Sequence, residues 1–187
     1  MKKGGKVMTQ LFGISGTRED GPRLLLASLE LVWGLSRLPE IRRGPWGKPW
    51  FPERPDLHFN LSHSGGLLLC ALSDRPVGVD IEQPRPRSRA LLERSLTPEE
   101  LEWCQQAEDP WPRFYTLWTR RESACKQTGR GLTFPVRAIT VPLPPADTLN
   151  GLCWRNYSGP GWVAALCAVG ELPSHIRWLD AGCLPSI

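Results

Sequence analysis

The sequence predicts an α+β protein: two similar α+β lobes related by a pseudo-twofold axis, each a small antiparallel sheet packed against one long helix. Three observations lead there. The 187 residues suffice for two small lobes. Helix-like and strand-like stretches follow one another twice in the same order, a helix and then strands, helices and then strands. A turn-rich stretch around Arg75, Pro76 and Gly78 separates the two series. The expected lobes are residues 1–77 and 78–187, and there is no short-period repeat.

Taken in order, residues 7–14 read as a first strand. Asp20-Gly21-Pro22 opens a helix, because proline suits a first turn where its missing N–H is not needed. Leu25, Leu29, Val32 and Trp33 then recur at helical spacing on one face. Residues 34–47 form a connector that holds Arg42 and Arg43. Residues 57–63 alternate as a strand does, and Ser64-Gly65-Gly66 turns the chain. Residues 67–72 are continuously apolar, as in a central strand covered on both faces. Residues 77–82 make a third strand, and these three are expected to form an antiparallel meander. Residues 83–89 are a basic, proline-rich linker. Thr97-Pro98-Glu99-Glu100 is a capping box with proline at the first helical position. Asp109-Pro110 opens a longer helix that carries Phe114, Trp118, Glu122 and Lys126 and stops at Gly129. Residues 136–141, 151–157, 162–169 and 175–179 read as strands, with a loop at 142–145.

Composition narrows the function classes. With 41% hydrophobic and 22% charged residues, the chain is a folded protein and not a disordered one. No apolar run approaches the ~20 residues that cross a bilayer. The start, Met-Lys-Lys-Gly-Gly-Lys, lacks the apolar stretch of a signal peptide, so a cytoplasmic location is expected. Six cysteines without a C-x-x-C pair argue against zinc and against a disulfide framework. A net charge of +4 suits an acidic ligand but is too small to indicate nucleic acid. Lysine occurs only at positions 2, 3, 6, 48 and 126, against an otherwise arginine-rich background. A compact ammonium fits between phosphate oxygens where a flat guanidinium does not. No G-x-x-x-x-G-K-[ST], G-x-S-x-G or H-E-x-x-H motif occurs.

The chemistry concentrates in Gly78-Val-Asp-Ile-Glu82 and Trp118-Thr-Arg-Arg-Glu-Ser-Ala-Cys-Lys126. On a strand, Asp80 and Glu82 share one face while Val79 and Ile81 share the other. On a helix, Glu122 and Lys126 share a face. Each pair alone has a plain reading, a solvated strand face or an i,i+4 salt bridge. Together, three carboxylates and an ammonium match a divalent ion bound to a diphosphate. Without metal the carboxylates repel, so at least one is expected to bind a proton more readily than in a peptide. Ser62-His63 is either a capping serine with a structural histidine or an anion pocket. Glu100 is either the capping-box partner or a general base. Arg85, Arg87 and Arg89 are either a solvated linker or charge offered to an acidic protein surface.

Gly47-Lys48-Pro49, Phe59-Asn-Leu-Ser-His-Ser64, Gly78-Val-Asp-Ile-Glu82 and Trp118-x-x-Arg-Glu-Ser-x-x-Lys126, in that order, resemble the 4′-phosphopantetheinyl transferase superfamily. Gly129-Arg-Gly-Leu132 extends the last motif in the same way. The likeness is to the monomeric, two-lobe type that activates surfactin synthetase, and the short chain is similar to the small proteobacterial holo-acyl-carrier-protein synthases. It covers residues 18–135 well and the rest loosely.

The resemblance implies a reaction. A serine hydroxyl of an apo acyl or peptidyl carrier protein attacks the β-phosphate of coenzyme A, phosphopantetheine moves to that serine, and 3′,5′-ADP leaves. It further implies that Asp80, Glu82 and Glu122 hold Mg²⁺ and that Lys126 contacts the diphosphate. Glu122, or Glu100 through a water, takes the serine proton. Lys48, Ser62 and His63 bind the adenosine end, with Arg18, Arg23 and Arg43 beside its 3′-phosphate. Residues 85–97 match the segment that docks the carrier. Arg121 stands where the family often has lysine. Two other readings fit the same residues, a non-catalytic carrier-protein binder and a metal-dependent phosphohydrolase.

Overall fold

The computed structural model describes residues 9–131 and 135–187. Lys2, Lys3 and Lys6, the first two residues of the strand expected at 7–14, and Leu132 lie outside them. The described chain runs β1 (Thr9–Ser15), α1 (Gly21–Trp33), β2 (Arg42–Arg43), β3 (Pro49–Trp50), β4 (His58–Ser64), β5 (Leu67–Ser73) and β6 (Gly78–Glu82). It continues through α2 (Arg89–Ser95), α3 (Pro98–Gln105), α4 (Trp111–Thr128), β7 (Thr148–Leu149), β8 (Leu152–Gly159), β9 (Trp162–Ala168) and β10 (Arg177–Trp178). The α+β class is as expected. Among the described residues no helix is long and apolar enough to cross a membrane.

Two four-stranded sheets carry the fold, in the orders β10-β1-β5-β4 and β6-β9-β8-β7. The core of each has the same connectivity. A first strand (β1 or β6) leads to the long helix (α1 or α4), and a hairpin (β4–β5 or β8–β9) returns so that its second strand pairs with the first. Strand alternation stacks the layers. Phe12, Ile14, Leu68, Cys70 and Leu72 face α1 through Leu24, Leu25 and Leu29. Leu11, Leu69 and Ala71 face the other way and meet Val79, Ile81, Ala164 and Leu166 of the second sheet. Trp154, Val163 and Cys167 leave that sheet on its far side, against Phe114 and Leu117 of α4. The order is thus helix, sheet, sheet, helix, with every apolar face covered.

Several expectations need correction. The meander does not form. β5 is buried on both faces and has strands on both edges, β4 and β1, so β6 joins the second sheet beside β9. Residues 136–141 are not a strand. After Pro135 the chain makes a short 3-10 turn at Val136–Ala138, and Ile139 and Pro142 give their carbonyls to Arg121 and Arg120. The connector at 34–47 contributes β2 to a small hairpin with β3, and the basic linker is followed by an unforeseen helix, α2. The first sheet is not purely antiparallel, because β10 pairs with β1 in parallel.

Local signals otherwise act as the sequence suggests. Proline sits in the first turn of α1, α3 and α4. The capping box closes in both directions: Glu100 N donates to Thr97 Oγ1 at 3.3 Å and Thr97 N donates to Glu100 Oε2 at 2.8 Å. Gly129 ends α4 at φ 73°, a conformation open to glycine without strain. Gly78 matters for a different reason. A Cβ there would run into the Ser123 carbonyl oxygen and the Gln127 nitrogen, so its absence lets β6 lie directly on α4.

After β9 the chain recrosses to the first sheet. Leu184 is buried in the core under α1. The Arg23 guanidinium holds this return, donating to the carbonyls of Leu184 (3.1 Å), Pro185 (3.2 Å) and Ala181 (3.5 Å) and to Asp20 Oδ1 (3.3 Å).

Candidate active site

β6 brings its carboxylates to α4. Asp80, only 4% exposed, lies in the middle of the strand with Glu82 on the same face, and Val79 and Ile81 turn to the inter-sheet core. Lys126 Nζ on α4 donates to Asp80 Oδ1 at 2.7 Å and to Ser62 Oγ at 2.9 Å. Ser62 Oγ itself donates to Asp80 Oδ1 at 3.0 Å. Ser64 Oγ donates weakly to Glu82 Oε2 at 3.5 Å.

Among the described residues, the edge of β6 away from β9 has no neighbouring strand, and side chains of β4 replace one. Val79 N donates to Asn60 Oδ1 at 2.8 Å and Ile81 N to Ser62 Oγ at 3.3 Å. Asn60 and Ser62 reach it together because residues two apart on a strand share a face. His63 stands on the opposite face and is exposed, so the Ser62-His63 pair does not open into a single pocket.

Burial and like charge shape the acids. Burial raises the Asp80 carboxyl above its usual range even though Lys126 and Ser62 favour its ionised form. Burial and then the Asp80 charge raise Glu82. Glu122 is pushed up to about 7, by burial first and then by Asp80 and Glu82, with Lys126 opposing. All three expected ligands therefore share one field. The electrostatic sign matches the expected repulsion.

A stability test follows for metal-free protein. Between the ordinary Glu value of 4.5 and about 7, folded Glu122 binds a proton that the unfolded chain has released. Stability then falls as pH rises through this window, and the raised carboxyls of Asp80 and Glu82 add in the same direction. The melting temperature in EDTA should drop by several degrees from pH 5 to pH 7.5, and Glu122→Gln should flatten that slope. A slope unchanged by Glu122→Gln would refute the assignment.

Among the described residues, no three of His, Cys, Asp or Glu are drawn close enough to ligate one ion. The donors nevertheless fit Mg²⁺. All are hard carboxylate oxygens, and Asp80 Oδ2 is buried without any hydrogen-bond partner. A buried, unpaired carboxylate oxygen whose charge raises two nearby acids is the kind of group a small divalent cation relieves.

Two adjoining clefts open beside these groups. One, of about 210 Å³, is lined by Trp46, Lys48, Asn60, Glu122, Lys126 and Gly129. The other, of about 300 Å³, is lined by Trp46, Lys48, Trp50, His58 and Gln127. Lys48 borders both. Its ammonium donates to Gln127 O at 2.7 Å and Val77 O at 3.1 Å, tying the end of α4 to the segment before β6. Burial lowers it to about 8.

The remaining candidates are dispersed. Arg18 and Arg43 are exposed, and Arg43 donates to Gly47 O at 2.9 Å. Arg23 is engaged by the C-terminal return. Glu100 is buried under Arg121, whose Nη2 donates to both of its carboxylate oxygens at 2.6 Å. Arg85, Arg87 and Arg89 are exposed on and before α2, where Arg89 pairs with Glu93 at 3.0 Å. Two contributors, Asn60 and Arg121, lie within the motifs but had no role assigned to them. The alternation that places Ser62 would have found Asn60; nothing local marks Arg121 as a core residue.

Comparison with known proteins gives the family. The profile of the 4′-phosphopantetheinyl transferase superfamily matches residues 76–167, from just before β6 through β9. The Bacillus subtilis 4′-phosphopantetheinyl transferase Sfp is 33% identical over 182 residues, covering 87% of this chain and 81% of that one. A putative 4′-phosphopantetheinyl transferase of Haemophilus influenzae is 38% identical over 172 residues, 83% of this chain and 71% of its own. The Salmonella typhimurium transferase AcpT is 39% identical over 121 residues, 62% of each. These similarities define a group-transferring enzyme. The chain belongs to the 4′-phosphopantetheinyl transferase superfamily.

Proposed function

We propose that this protein transfers the 4′-phosphopantetheine group of coenzyme A to a serine of an apo acyl or peptidyl carrier protein and releases 3′,5′-ADP. The observation that carries this reading is the meeting of Asp80 and Glu82 on β6 with Glu122 and Lys126 on α4, beside the Lys48-lined clefts. The chain would act as a monomer in the cytoplasm.

Asp80, Glu82 and Glu122 would hold Mg²⁺. Bound there, the ion would neutralise diphosphate charge as a Lewis acid. Lys126 is already aimed at the same point and would share its ammonium with the diphosphate, steadying the negative charge that grows on the leaving oxygen. Glu122 would accept the carrier serine proton as general base. The serine oxygen then bonds to the β-phosphorus as the bond from that phosphorus to the bridging oxygen breaks, and the electron pair leaves with 3′,5′-ADP. Glu100 suits the base role less, since Arg121 and the Thr97 N–H occupy its oxygens. Lys48 keeps one N–H free after its two carbonyl bonds and would meet the nucleotide end, with His63, Arg18 and Arg43 as further cations. α2 and the exposed Arg85 and Arg87 would receive the acidic face of the carrier.

The direct test is incubation with coenzyme A, Mg²⁺ and a panel of apo carrier proteins. One carrier or more should gain the mass of a single phosphopantetheine. The reading fails if none does.

A further inference from the structure

β8 leaves part of one edge open. β9 covers its other edge from Cys153 to Gly159, whereas β7 pairs with it only through Thr148 with Cys153 and Leu149 with Leu152. Among the described residues, no strand lies on the β7 side from Asn156 to Gly159. Trp154 N donates outward to Asp147 O at 2.7 Å. Antiparallel strands alternate the side to which main-chain groups point, so Asn156 and Ser158 also turn theirs outward. The preceding chain is unsuited to extend β7 along this edge. It would bring Ala146, Pro145 and Pro144 there, and proline has no N–H to give to a ladder.

Grooves flank this edge. One, of about 560 Å³, is lined by Arg113, Thr116 and Arg120 of α4 and by Arg155 of β8. Among the described residues, Asp147 is the one acid on its wall, and it pairs with Arg120 at 2.8 Å. The other groove, of about 440 Å³, is lined by Tyr157, Trp162, His175, Ile176 and Trp178. Trp162 and Trp178 meet edge to face at 5.9 Å, and Trp178 is 44% exposed. Asn156 and Ser158 line both grooves, so the open edge is the ridge between them. Neither groove shares a lining residue with the clefts beside Lys48.

We propose that β8 takes up an extended segment of another protein on this edge, one whose side chains alternate between acidic and apolar. An added strand pairs its main chain with the outward groups of Asn156 and Ser158 and sends successive side chains to opposite faces. Its acidic residues then enter the arginine-lined groove and its apolar residues the tryptophan-lined one. A second copy of this chain fits less well. Two β8 edges paired antiparallel would set two arginine-lined grooves side by side on one face, like charge beside like charge. The proposal goes beyond the transferase reading and does not depend on it.

The probe is a short fluorescein-labelled peptide in which Glu and Val strictly alternate. Its control has the same composition with Glu and Val in two blocks. Fluorescence anisotropy with the full chain should show saturable binding at low salt that weakens as salt is added. The block-ordered peptide should bind about tenfold more weakly or worse, since it cannot satisfy both grooves while paired. Ser158→Pro removes an outward N–H that β9 does not use, and should lower affinity by about tenfold with the fold intact by circular dichroism. Arg155→Glu should weaken binding by a similar factor, and it carries the test if Ser158→Pro does not fold. The proposal is overturned if the alternating peptide does not bind, if salt leaves its binding unchanged, if the block-ordered peptide binds equally, or if either folded variant binds as wild type does. A dimer in sedimentation that Ser158→Pro dissociates would give the edge to a second copy and overturn it as well.

Discussion

Lys126→Met should lower turnover by about 10²- to 10³-fold, the range found when a preorganised charge is removed from a developing anion. The ammonium is held at 2.7 Å from Asp80 Oδ1 and 2.9 Å from Ser62 Oγ, so its position is set before any ligand arrives. Methionine keeps the stem and removes the charge. Lys126→Arg should rescue little, because a planar guanidinium cannot place one compact charge between the two oxygens. The fold should survive, since burial already raises the Asp80 carboxyl and loss of Lys126 raises it further, toward uptake of a proton. The measurement is the initial rate of carrier modification by mass spectrometry, with circular dichroism as a check on folding. Folded Lys126→Met with a rate within threefold of wild type would remove this lysine from the chemistry.

The largest effect on stability should come from Arg121→Met. Arg121 is 1% exposed, and its guanidinium grips both oxygens of Glu100 and the Ile139 carbonyl. Removing one member of a buried pair strands the other charge, at about 3–5 kcal/mol. For a chain of this length that corresponds to a melting temperature lower by roughly 6–20 °C. Arg121→Met combined with Glu100→Met should recover much of the loss, because it removes both charges together. The double variant also decides between two proton acceptors. Turnover near wild type at low temperature leaves Glu122 as the base, whereas a loss beyond a hundredfold in the folded protein would restore Glu100 to that role.

Much of the site is legible because its signals are local. The alternation of Val79 and Ile81 with Asp80 and Glu82 assigns faces, and the four-residue step from Glu122 to Lys126 assigns another. The capping box and the stop at Gly129 are equally local. What escapes is the set of partners each polar side chain finds far away. Arg23 and Lys48 have the charge for a phosphate, yet both bind main-chain carbonyls supplied by remote segments. A carbonyl carries no residue identity, so no side-chain pattern announces it. The pairing of β6 escapes for a related reason: an apolar alternating strand suits either sheet, and only the occupied edges of β5 decide. α2 was within reach, since Ser88 precedes a run of good helix formers, but the surrounding prolines and arginines hide it.

The path of the chain end has a consequence for how the protein is made. Among the described residues β1 gains its outer neighbour from β10, and Leu184 lies in the core under α1. On a ribosome these residues emerge after both sheets have otherwise been translated. During that interval the early half carries an open strand edge and a gap in its apolar interior, the features that invite association with other nascent chains. Of the two sheets, the one translated earlier is therefore sealed later.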